Sequence, residues 1–146
     1  MNIKMDLLRM FEDKIDPYFY KQLKEDVENY TIDDEEFIKS FFVYVFNFCG
    51  CGCLSLSAEF IKEVLNCYEE EEGLSYPHLN LVKLDSYTNN RGMTDFILHF
   101  LDVYGITEHG SSVYGSWLTI EGQKLKECLN EIIEEEEENI ETESDN

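Results

Sequence analysis

Basic residues are scarce in this sequence, with 11 Lys and Arg against 32 Asp and Glu over 146 residues. Phosphate backbones are gripped by neutralising them with Lys and Arg, so a net charge of −21 argues against direct binding to DNA, RNA or an anionic membrane surface. Long apolar runs are missing as well. The most apolar stretch, Phe37 to Leu56, is broken by Lys39, Asn47 and two glycines, which makes it a core segment and not a membrane span. The opening Met1-Asn2-Ile3-Lys4-Met5-Asp6 places an acid where a secretory signal needs its apolar region, and no small-residue cleavage site follows. The expected location is therefore cytoplasmic. The nucleophile elbow, the phosphate-cradling glycine loop and the dinucleotide fingerprint are also absent, and the chain is read as a non-enzyme.

Cysteine comes as an odd set of five: Cys49, Cys51, Cys53, Cys67 and Cys128. With no export signal, reduced thiols are expected in place of a disulfide framework. Cys49, Cys51 and Cys53, with Cys67 or His109 as a fourth donor, form a candidate zinc site, because thiolates suit zinc and glycines let the backbone wrap an ion. The usual knuckle has two residues between its cysteines, and no Cys-x-x-Cys pair exists here. The alternative is a tight interhelical turn whose small thiols pack as modest hydrophobes, with no cofactor. Glu108-His109-Gly110-Ser111-Ser112 offers an acid, a base and a hydroxyl in one turn, but such neighbours bond to local backbone more often than they converge.

What the sequence does have is helical periodicity. Apolar residues at Ile3, Leu7, Met10 and Phe11 predict a first helix over Asn2 to Lys14, and Asp16-Pro17 caps a second that runs to about Tyr30. Asp33 to Glu36 precede a wide apolar face of Phe37, Phe41, Val45 and Phe48, expected at the centre of the core. A turn at Cys49 to Cys53 leads to a fourth helix, capped by Ser57 and reaching about Tyr68, with Phe60, Ile61, Val64 and Leu65 buried. Residues 74–92 read as a loop with weak structure, in which Leu79, Leu81 and Leu84 hint at a short strand and Asn89-Asn90-Arg91-Gly92 form a turn. Thr94 begins a helix with Phe96, Ile97, Phe100, Leu101 and Tyr104 inward, closed by Gly105. A strand at Ile106 to Glu108, a turn and a return strand from Val113 to Leu118 follow, and Thr119 caps a last amphipathic helix. The fold class is α+β, mainly helical, with about six helices and one two-stranded hairpin. Residues 1–133 are expected to form a single globular domain, and 134–146 an acidic tail, frayed or disordered at its end.

The segment Phe96 to Leu129, FILHFLDVYGITEHGSSVYGSWLTIEGQKLKECL, resembles the end of a winged-helix domain: a helix, a glycine, a short strand, a polar wing, a returning strand and a Leu-Thr-x-x-Gly helix start. That resemblance implies a winged-helix-like C-terminal part. It departs from the DNA-binding members in having no Lys or Arg from Thr94 through Glu121, where Asp95, His99, Asp102, Glu108 and His109 stand. Together with Cys49-Gly50-Cys51-Gly52-Cys53, the Glu108-His109-Gly110-Ser111-Ser112 and Trp117-Leu118-Thr119 blocks are also similar to small acidic proteins of phage and bacterial genomes. This second resemblance implies a phage-type accessory role inside a host cell, of the kind played by anti-CRISPR and other DNA-mimic inhibitors.

Charge supplies the functional expectation. Residues 134–146 hold eight acids and no base, which leaves −13 for the rest of the chain. Two further clusters, Asp33, Asp34, Glu35, Glu36 and Glu69, Glu70, Glu71, Glu72, lack the alternating spacing and central glycine of a calcium loop. With Tyr30, Tyr68 and Tyr76 beside them as anchors, these clusters form the candidate partner-binding surface. The expected partner is a basic, nucleic-acid-binding protein whose groove is blocked by carboxylates standing in for phosphate, and a second copy of the chain is a further candidate partner. The alternatives are a winged-helix-like transcription regulator, a small zinc-binding interaction module, and a charge that serves only to prevent aggregation.

Overall fold

The computed structural model describes residues 2–49 and 54–144, with the side chains of Ser55 and of everything beyond Ile133 left out of the description. Among these residues the chain is mainly helical, with seven α-helices and one small antiparallel sheet of four strands, so it is α+β. Its contacts separate into two compact units, 1–59 with 127–146, and 60–126, whose boundaries fall inside the helices Leu54–Leu65 and Ile120–Ser144.

The first unit holds α1 (Ile3–Met10), α2 (Pro17–Glu28) and α3 (Asp34–Phe46). Each begins on a side-chain cap. Asn2 accepts from the amides of Lys4 and Met5, Asp16 from Tyr18, and Asp33 from Glu36 at 2.8 Å. Helix α3 ends at Asn47, whose left-handed backbone (φ 57°) takes the C-terminal position that glycine more often fills. The core here is phenylalanine-rich. Phe11 meets Phe41 edge to face at 5.1 Å, and Phe42 meets Phe46 likewise at 5.1 Å, in the arrangement the ring quadrupoles favour.

The chain then enters α4 (Leu54–Leu65), which starts before the expected Ser57 cap because Leu54 and Ala58 join Ile61 and Leu65 on one buried stripe. The helix stops short of Tyr68, which opens strand β1 (Tyr68–Glu69). Residues 74–92 are likewise more ordered than expected: β2 (His78–Leu79) pairs with β1, and Asn80 caps helix α5 (Leu81–Thr88). Helix α6 (Arg91–Val103) starts on Asn90 and not at Thr94, whose hydroxyl instead bonds to that of Thr88 at 2.7 Å in the α5 to α6 packing. Gly105 follows with φ 72°, and β3 (Thr107–Glu108) pairs with β4 (Trp117–Leu118). The expected return strand over Val113 to Leu118 is shorter, because Ser112 caps a 3-10 turn over Val113–Gly115 first.

Helix α7 (Ile120–Ser144) closes the chain, and its start is held by one side chain. Thr119 Oγ1 accepts from the Gly122 amide at 3.0 Å and donates toward the carbonyl oxygens of Gly105 and Ile106 at 2.7 and 3.0 Å. A Cβ on Gly122 would lie 2.1 Å from the Ile106 carbonyl oxygen, so only glycine lets helix and strand approach this closely.

Candidate functional site

The four strands lie in the order β1-β2-β4-β3, all neighbours antiparallel. Residues directly opposite across antiparallel strands share a face of the sheet. Glu69 faces His78, His78 faces Trp117, and Trp117 faces Glu108, so these four form one row across the whole sheet. The other face carries Tyr68, Leu79, Leu118 and Thr107, of which Tyr68, Leu118 and Thr107 are buried. One face is core, and the opposite face presents acid, imidazole, indole, acid to solvent.

That outer row is held in place by local bonds. His78 Nδ1 lies 2.8 Å from the Tyr76 carbonyl oxygen, and because a carbonyl only accepts, Nδ1 carries the donated proton. The imidazole lies 5.6 Å from the Trp117 ring, and Glu69 accepts from Asn80 Nδ2 at 2.7 Å. Beside Trp117 a cleft of about 170 Å³ is lined by Tyr76, Glu108, Trp117, Thr119, Ile120 and Glu121.

Each residue singled out from sequence has a definite place. Tyr68 is corrected from a surface anchor to a core residue: it is fully buried, its hydroxyl sits 2.8 Å from Ser116 Oγ, and burial pushes its pKa up to about 12. Tyr30 and Tyr76 remain exposed. The cluster Asp33 to Glu36 is largely engaged by its own unit. Asp33 caps α3, Asp34 pairs with Lys4, and Glu35 lies 3.0 Å from Lys39, whose pKa it raises chiefly by hydrogen bonding to the ammonium. Glu69 to Glu72 lie in the other unit, all exposed, and Glu70, Glu71 and Glu72 make no ion pair among the described residues.

Cys51 and Cys53, the centre of the candidate zinc site, lie outside the described residues; Cys49 is exposed. Cys67 and Cys128 are buried thiols, and burial raises both, Cys128 to about 12, which suppresses the thiolate a metal or a nucleophilic role needs. Among the described residues no three His, Cys, Asp or Glu side chains converge to hold a metal ion. His109 Nδ1 lies 3.0 Å from Asp102 Oδ1, while the Ser112 hydroxyl is spent on the Tyr114 amide.

Sequence reasoning missed two features. Trp117 and Glu121 are absent from the expected site, although the single Trp beside a strand alternation was a usable signal. Phe96, expected inward, is 67% exposed, and with Met93 and Val103 it forms a solvent-facing apolar stripe on α6, opposite the buried Ile97, Leu98 and Leu101. No protein-family model, curated protein or solved structure matches the chain. No helix among the described residues is long and apolar enough to cross a membrane.

Proposed function

We propose that the protein is a non-catalytic, acidic binding protein that occupies a basic groove of a nucleic-acid-handling partner, as an inhibitor of the DNA-mimic or anti-CRISPR class would in a host cell. The observation that carries this reading is the excess of carboxylates over Lys and Arg, with exposed acids such as Glu70, Glu71 and Glu72 outside any ion pair among the described residues. Residues 1–133 hold 24 of the chain's 32 acids, the other eight falling in 134–146, against 11 Lys and Arg in the whole chain. Fixed negative charge steers encounter with a basic surface and makes association fall as salt shortens the Debye length to about 8 Å at physiological ionic strength. Exposed apolar side chains such as Tyr76 and Phe96 supply anchors that turn charge attraction into a specific contact.

The test is affinity capture from host lysate at low salt, followed by competition with duplex DNA for whatever is recovered. The expected result is a nucleic-acid-binding protein released by added DNA and by salt. Recovery of none, or a complex indifferent to both, sinks the reading and leaves the charge a solubility feature. Glu70→Gln, Glu71→Gln and Glu72→Gln together are the informative variant, because these carboxylates are not engaged in ion pairs among the described residues.

A second reading, a winged-helix-like transcription regulator, is supported by the order α6, β3, β4, α7 and by the Thr119 and Gly122 start of α7. It has to draw its bases from Lys4, Arg9, Lys14, Lys21 and Lys24, of which Lys4 and Lys24 face Asp34 and Glu28. Duplex-DNA binding at physiological salt, lost on changing those bases, decides for it. One zinc per chain in protein purified without chelator decides for a zinc-binding module at Cys49, Cys51 and Cys53.

A further inference from the structure

We infer that the cleft beside Trp117 receives one cationic side chain, the ammonium of a lysine or the guanidinium of an arginine, projected by the basic partner; the inference rests on the function proposed above. At about 170 Å³ the cleft is smaller than the roughly 300–1,000 Å³ that encloses a whole small molecule, and suits a single side chain. Its walls are of two kinds. Tyr76, Trp117 and Ile120 give an apolar and aromatic surface, while Glu108 and Glu121 add two carboxylates, with no Lys or Arg among the lining residues. Neither glutamate makes an ion pair with a base of the protein among the described residues.

The sheet register fixes the pairing that matters. Glu108 stands directly opposite Trp117, which places their Cβ atoms about 4.5–5.5 Å apart on one face. A cation within about 6 Å of the indole centroid then meets the negative ring face and a carboxylate together, and its alkyl stem lies along Ile120 and Tyr76. One opposing charge has to be weighed. Helix α7 begins at Ile120, and a helix N-terminus carries about half a positive charge, which favours an anion. Glu121 in its first turn and Glu108 across the cleft bring two full negative charges against that half, so the net preference is for a cation.

Trp117 is the chain's single tryptophan, so its fluorescence reports the cleft directly. The full chain is titrated with n-butylammonium and n-propylguanidinium chlorides, against sodium chloride, n-butanol and inorganic phosphate as controls. Both organic cations are expected to give a saturating change with a midpoint on the order of millimolar, the range open to ligands of so few atoms. The variant Glu108→Gln/Glu121→Gln is expected to weaken both at least about tenfold. If that variant loses its native circular dichroism, Glu108→Gln alone carries the test, since that side chain is exposed. A response no different from sodium chloride or butanol, saturation by phosphate, or an unchanged midpoint in the variant overturns the inference. A captured basic partner that binds the variant as tightly as the wild type overturns the cleft and leaves the wider function standing. Saturation by the two cations with no basic partner recovered keeps the cleft as a cation site and removes the wider function.

Discussion

Gly122 and Cys128 show how much a single residue carries in this chain. With the Ile106 carbonyl oxygen 2.1 Å from where a Cβ would sit, Gly122→Ala must displace backbone, since the two nearest atoms are the carbonyl oxygen and carbon of Ile106. Urea denaturation is expected to show a loss of roughly 1–3 kcal/mol, the usual range for forced overpacking, and a change within about 0.5 kcal/mol would show that the approach of α7 to β3 is looser than described. Cys128 leads to a pH dependence. Its thiol is held up to about 12 by burial, whereas an unfolded thiol ionises near 8.5. Below that lower value both states keep the proton and the contribution to stability is fully present. Above it the unfolded state ionises first, so stability falls as pH rises toward about 12, and Tyr68 adds to the same limb from about pH 10 upward. Lys126, lowered by burial, works in the opposite direction, so the measurement is a comparison. Melting temperatures from pH 8 to 11 should fall less steeply for Cys128→Ala than for the wild type, and equal slopes would remove the buried thiol as a cause.

At the scale of elements, capping side chains explain most of what could be read in advance. Asn2, Asp16, Asp33 and Thr119 each stand at a helix start and each accepts an amide hydrogen bond there. The cluster Asp33 to Glu36 therefore has a structural task before any binding task. Asp33→Ala is expected to cost about 1 kcal/mol, through the lost cap, whereas Glu36→Gln should change thermal stability by only a few tenths. Equal effects of the two would mean that α3 is stabilised by charge in its first turn and not by the cap. Strand β1 and helix α5 were not legible, for physical reasons. Tyr68–Glu69 is a strand only because His78–Leu79 lies beside it, and α5 buries Leu84 alone of its eight residues, too little to leave a helical stripe in the sequence. Asn80 and Asn89-Asn90, which cap α5 on both sides and start α6, were the available signal, but Asn80 falls in the segment read as a loop and Asn89-Asn90 in the part read as a turn.

For the molecule as a whole, the dominant quantity is charge. With a net −21, mutual repulsion is expected to oppose folding more than local ion pairs such as Arg91 with Asp85 favour it. Screening reaches about 30 Å at 0.01 M salt and about 8 Å at 0.15 M, so the melting temperature should rise as sodium chloride is added across that range. A melting temperature that falls with salt would mean that the observed pairs, such as Arg91 with Asp85, outweigh the repulsion.

The sequence by itself determined the quantities that add up along the chain: net charge, helical periodicity, caps, and a mainly helical α+β class. These depend on neighbours within a turn or two, and α1, α2, α3 and α7 begin within a residue or two of where the pattern placed them. Only the tertiary structure decided which aromatics are surface and which are core, because burial depends on elements distant in sequence. Tyr68 went inside through a hydroxyl bond to Ser116 across 48 residues, and Phe96 stayed outside because α6 has its buried face on Ile97, Leu98 and Leu101. The candidate site follows the same logic: Glu69, His78, Glu108 and Trp117 share a face through strand register alone, and register is a property of pairing that no local pattern in this sequence specifies.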